Sequence, residues 1–84
     1  MQDKSLTIRI LTPEGTLHEG AATAVFLPGS LSPFEVLPGH APIISALCAG
    51  DVRVVAGGQE QRFAVLGGVV KVKDNEITVC VETA

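Results

Sequence analysis

The sequence predicts an all-β fold, a flattened β-sandwich or barrel of about nine or ten mostly antiparallel strands, on three observations. Apolar and polar residues alternate with period two along much of the chain, and no window of about 11 residues keeps apolar side chains at the spacing of a helix face. Turn-forming groups recur roughly every ten residues, at Pro13-Glu14-Gly15, Leu27-Pro28-Gly29, Leu37-Pro38-Gly39, Gly57-Gly58, Gly67-Gly68 and Asp74-Asn75. The 46% hydrophobic content is mostly Val, Ile, Leu and Ala, with three Phe and neither Trp nor Tyr, which suits closely paired sheets better than an aromatic ligand pocket.

The first strand is expected over 6–12, where Leu6, Ile8 and Ile10 alternate with Thr7 and Arg9 and Leu11 breaks the pattern. Strands over 16–20 and 22–27 follow, the second ending at Leu27-Pro28-Gly29. Proline holds the residue before it extended and the glycine after it permits a positive φ, so each Leu-Pro-Gly reads as a strand ending in a sharp corner. Between the corners there is room for a turn and one short strand, 34–37. In 43–47 the adjacent Ile43 and Ile44 must point to opposite faces, so only one can enter the core. In 51–56, Val52, Val54 and Ala56 alternate with Arg53 and, imperfectly, Val55; a strand over 59–66 follows Gly57-Gly58. In 68–73, Val70 and Val72 oppose Lys71 and Lys73, read as an outward face whose charges discourage edge pairing. Asp74-Asn75 makes a tight hairpin into 76–82, where Ile77, Val79 and Val81 oppose Thr78, Cys80 and Glu82.

Residues 1–84 read as one domain, with no linker, repeat or low-complexity tract. The formal charge of −3 and pI near 5.1 argue against nucleic acid, whose phosphates require clustered Lys and Arg. The weakly polar run 41–50 falls far short of the roughly 20 residues that cross a bilayer, so no direct membrane insertion is expected. Met1-Gln2-Asp3-Lys4-Ser5 lacks the apolar region of a leader, and the chain is expected to be soluble and cytosolic.

Candidate chemistry is sparse. His40, on a corner between Gly39 and Ala41, has no oriented nucleophile or charge stabiliser in the sequence and reads as structural or partner-contacting, with no catalytic residue expected. His18, His40, Cys48 and Cys80 carry zinc-type donors, but spacings of 22, 8 and 32 contain no close pair, so no metal and no cofactor is expected. Both cysteines are read as reduced, Cys48 as a small buried hydrophobe and Cys80 as partly exposed. The glutamates Glu14, Glu19, Glu35, Glu60, Glu76 and Glu82 are scattered over turns and polar faces. Leu11, Leu31, Ala41, Pro42 and one of Ile43 and Ile44 are expected to form an apolar patch suited to a protein partner.

The run Val36-Leu37-Pro38-Gly39-His40-Ala41-Pro42, preceded by Leu27-Pro28-Gly29 and Phe34, resembles the amino-terminal β domain of the ε subunit of F-type ATP synthases, whose mitochondrial counterpart is called δ. Ala46-Leu47, Gly50, Val52-Arg53-Val54, Phe63-Ala64-Val65, Gly67-Gly68, Val70, Val72 and Thr78-Val79 extend the resemblance over nearly the whole chain. Ser32 and Glu35 stand where that family usually has glycine, and Pro33 where it often has an acidic residue. The resemblance implies a non-catalytic rotor-stalk subunit that docks the γ subunit onto the c-ring and couples ion-driven rotation to ATP synthesis. It would be peripheral on the cytoplasmic face of the bacterial membrane. It assigns Ser30, Leu31, Ser32 and Pro33 to the c-ring, and Leu11, His40, Ala41, Pro42 and Ile43 to γ. The family usually continues into two carboxy-terminal helices; this sequence stops at Val81-Glu82-Thr83-Ala84, so no helical hairpin is expected. The alternative from the residues alone is a free-standing β-sandwich that binds a peptide or small ligand.

Overall fold

The computed structural model describes residues 5–84; Met1 to Lys4, part of the segment read as lacking a leader, lie outside them. Nine strands and no helix are found among the described residues. In chain order they are β1 (Leu6–Thr12), β2 (Gly15–Ala22), β3 (Ala24–Leu27), β4 (Phe34–Val36), β5 (Ile43–Leu47), β6 (Gly50–Ala56), β7 (Gln59–Val65), β8 (Gly67–Lys73) and β9 (Glu76–Glu82). A five-stranded sheet, ordered β2-β1-β9-β8-β5, packs on a four-stranded sheet, ordered β4-β3-β6-β7. Every pairing is antiparallel except β1 with β9, the parallel pair at the centre of the larger sheet.

Alternation puts one row of each strand between the sheets. Leu6, Ile8 and Ile10 of β1, Val70 and Val72 of β8 and Ile77, Val79 and Val81 of β9 face Val25 and Leu27 of β3, Val36 of β4 and Val52 and Val54 of β6. All are buried, and no polar or charged side chain is buried among the described residues. Non-directional apolar burial therefore supplies the cohesion, while the strand ladders satisfy the backbone. On the β2 and β7 side, His18 lies opposite Ile10 and its ring sits 5.1 Å from that of Phe63. A register shift at Ile10 and Leu11 makes a β-bulge in β2.

Three details depart from the sequence expectations. The break between the second and third strands falls at Thr23, whose amide and hydroxyl both donate to the Val55 carbonyl, at 2.8 and 3.2 Å, as the chain changes sheets. Gly67-Gly68 opens β8 instead of forming a turn; the change of sheet is made at Leu66, whose amide donates to Glu82 at 2.7 Å. Lys71 and Lys73 guard no edge, because β8 lies inside its sheet between β9 and β5.

The two Leu-Pro-Gly corners use glycine for different reasons. Gly39 adopts a φ of 86°, the left-handed conformation that a side chain disfavours. Gly29 does not; it forms an isolated bridge with Leu47, and any Cβ there would run into the Ser32 carbonyl oxygen and the Phe34 ring. One corner needs torsional freedom and the other needs an absent side chain.

Candidate functional site

The first Leu-Pro-Gly leads into a loop of four exposed residues, Ser30, Leu31, Ser32 and Pro33. Its base is pinned across the two sheets: Ser30 N–H donates to Ala46 at 3.0 Å, Cys48 N–H to Pro28 at 2.9 Å, and Gly29 bridges to Leu47. Leu31 projects fully into solvent, at 103% relative exposure. A leucine held there by a fixed base is an apolar knob with no partner in its own fold.

Cys48 belongs to this base and is exposed, contrary to the expectation of burial. Leu47 takes the last inward position of β5, so Cys48 lies beyond the core, and its thiol donates toward the carbonyls of Pro28 and Gly29 at 3.4 and 3.8 Å. Cys80, on the outer face of β9, is also exposed, and both thiols are free.

The second Leu-Pro-Gly forms a corner at the other end of β5. His40 N–H donates to Leu37 at 3.1 Å, and the imidazole Nδ1 lies 2.7 Å from the Ala41 carbonyl oxygen. A carbonyl oxygen only accepts, so Nδ1 is the donor in this contact. His40 is half-buried; Ala41 and Pro42 are exposed.

Asn75 fastens this corner, and sequence reasoning did not find it. Asp74 and Asn75 have φ of 53° and 63°, the pair of positive values that a two-residue type I′ turn requires. That turn aims the Asn75 side chain at the corner, where its Oδ1 accepts from Gly39 N–H at 2.7 Å while its backbone carbonyl accepts from Thr7 at 2.9 Å. The partners are 36 residues apart, and no local pattern announces the contact. Asn75→Gly, which keeps the positive φ, is expected to cost about 1 kcal/mol, and Asn75→Ala, which strains it, about 2 kcal/mol. Urea unfolding measures both; equal losses would show that backbone conformation is not what the asparagine supplies.

Not all residues assigned to γ converge. Ile43 points inward, half-buried against the core, whereas Ile44 is 73% exposed and is the isoleucine that faces outward. Leu11 pairs with Cys80, while the corner lies beside Asn75 and Thr7 at the opposite end of β1, four residues or about 13 Å away. The single apolar patch expected from Leu11, Leu31, Ala41 and Pro42 is therefore divided between the two ends of the sandwich. Near the loop, Phe26, Pro28, Pro33 and Phe34 line an open groove of about 410 Å³, with Glu35, Asp51 and Arg53 on its rim. Arg53 covers the Phe26 ring at 4.2 Å and is held by Glu60 at 3.4 Å. The groove has no nucleophile paired with a base, and no cluster of three metal-ligating side chains occurs among the described residues.

The chain matches the family model for the β-sandwich domain of the ATP synthase delta/epsilon chain over residues 5–84. It is 44% identical to the ATP synthase epsilon chain of Synechococcus elongatus and 38% identical to that of Desulfitobacterium hafniense. Each alignment covers 95% of this chain, and 58% and 61% of those relatives respectively. It thus spans about three fifths of the length of the curated relatives it matches. Among solved structures, a chain of the Euglena gracilis mitochondrial ATP synthase superposes with a TM-score of 0.91 at 16% identity, covering 99% of this chain and 54% of that one. A chain of the Tetrahymena thermophila mitochondrial ATP synthase central stalk and c-ring gives 0.78 at 13% identity, covering 99% and 67%. These structural likenesses speak for the fold; the family match and the identities to the epsilon chains speak for descent, and the chain belongs to the ATP synthase delta/epsilon family through its β-sandwich domain.

Proposed function

We propose that this chain is a non-catalytic rotor component of an F-type ATP synthase, docked between the γ subunit and the c-ring, where it helps ion-driven rotation reach the sites of ATP synthesis. It works on the cytoplasmic face of the bacterial membrane as a peripheral part of the complex. The observation that carries this reading is the placement of two rigid corners at opposite ends of β5, one bearing the loop with Leu31 and the other bearing His40, Ala41 and Pro42. A strand that is hydrogen-bonded into a sheet does not stretch, so a torque applied at one corner is transmitted to the other. Because the sandwich is already formed, docking costs little conformational entropy and more of the contact free energy holds the joint. Ser30, Leu31, Ser32 and Pro33 face the ring; His40, Ala41 and Pro42 face γ with Ile44 beside them, and Leu11 lies apart from that surface.

A photo-crosslinker at Ser32 is expected to capture the c subunit in the assembled complex. Capture of only an α or β subunit would overturn the ring assignment. Leu31→Asp, at a side chain that touches nothing in its own fold, is expected to leave the melting temperature unchanged and to weaken attachment to the ring severalfold.

A further inference from the structure

Lys71 and Lys73 project from the outer face of β8, an interior strand, two residues and about 7 Å apart. Among the described residues Arg9, Arg53 and Arg62 each form an ion pair, with Glu19, with Glu60, and with Glu60 and Asp51, while neither lysine does. Thr78 lies across from Lys71, and Glu76 across from Lys73 without reaching it as an ion pair; Asp74 follows in the turn. On the β5 side Ile44 pairs directly with Lys71, and a shallow groove of about 470 Å³ is lined by Pro42, Ile43, Ile44 and Val72 together with both lysines. Asp74, Glu76 and Thr78 share the β9 side of the two lysines, where no ion pair forms, and on the β5 side the lysines adjoin the most exposed isoleucine. The apolar floor asks for an apolar side chain, and the two ammonium groups along its β8 wall ask for carboxylates near it.

We propose that this groove receives a segment of the γ subunit in which an apolar side chain is flanked by carboxylates, one for Lys71 and one for Lys73. The inference rests on the rotor reading above and adds the chemistry of the γ surface and the strand that meets it. Exposed ion pairs contribute little to raw affinity, but they set the register of docking and accelerate encounter, and both effects fade with salt. A joint that carries torque needs register: the apolar contact alone would tolerate sliding along β8.

The test measures binding of the chain to the catalytic head with its γ subunit, from which this chain has been stripped, at low and at high salt. K71E/K73E is expected to bind about tenfold more weakly at low salt, K71Q/K73Q to fall between it and the parent, and K71R/K73R to stay within about twofold of the parent. The differences should shrink at high salt. Both lysines are exposed, so K71Q/K73Q and K71R/K73R are expected to melt with the parent, while K71E/K73E, which sets a glutamate opposite Glu76, is expected to melt a few degrees lower and to remain folded. A parent that binds, with K71E/K73E binding equally well, overturns the inference and leaves the rotor reading standing. A loss in K71R/K73R as large as that in K71E/K73E overturns it in the same way. A parent that fails to bind the γ-containing head removes the rotor reading and this inference together.

Discussion

Replacing Ile8 with alanine is expected to lower the unfolding free energy by about 3 kcal/mol. Ile8 has no solvent exposure, and its strand is held on both sides, with Gly20 of β2 and Ile77 of β9 as its paired neighbours. Because the ladders fix the backbone on either flank, the walls of the cavity cannot close, and the lost dispersion contacts are not recovered. A domain of this size has a total stability of roughly 5–10 kcal/mol, so the change is a large fraction of it. It should appear as a fall in melting temperature of roughly 15 °C. A loss below about 1 kcal/mol, within the range of ordinary surface substitutions, would mean that Ile8 is not where the sheets meet.

Ile43→Asp and Ile44→Asp are expected to differ sharply although they alter adjacent residues of one strand. Ile43 pairs with Val72 and packs against the core, so a carboxylate there loses apolar contact and forces a charge against valine and leucine side chains, at a cost of about 2–4 kcal/mol. Ile44 pairs with Lys71 and faces solvent, where an aspartate costs about 0.5 kcal/mol or less and stands beside an ammonium group. Urea unfolding of the two variants reads the register of β5 directly, since a one-residue slip would exchange their effects. The same pair separates stability from docking: only Ile44→Asp removes apolar surface from the face proposed to meet γ without disturbing the fold.

Much of this architecture is legible in the residues. About nine or ten strands are expected and nine are present among the described residues, most within two residues of their predicted limits, because period-two alternation and Gly, Pro and Asn turns are local signals that each strand carries within itself. The inward rows of β1, β8 and β9 follow from the same alternation. Where the signal is ambiguous, expectation and structure part. Two adjacent isoleucines have equal claims on the core, and only the pairing of β5 with β8 decides for Ile43. Lys71 and Lys73 resemble edge guards in any strand considered alone, and only the sheet order shows that β8 has neighbours on both sides. Residue type suggests burial for Cys48, whereas its exposure follows from Leu47 taking the last inward position of its strand.

By itself the sequence determined the all-β class, the approximate number of strands, the two Leu-Pro-Gly corners and the family, since these depend on side-chain type at short spacing and on motifs that stand unbroken in the chain. Tertiary structure alone decided that Leu11 lies at the far end of its strand from the His40 corner, that Asn75 clamps Gly39 from 36 residues away, and that two unpaired lysines adjoin Ile44. These are relations between strands distant in sequence. They are set by sheet order and register, which emerge only when every strand competes for the same apolar interior.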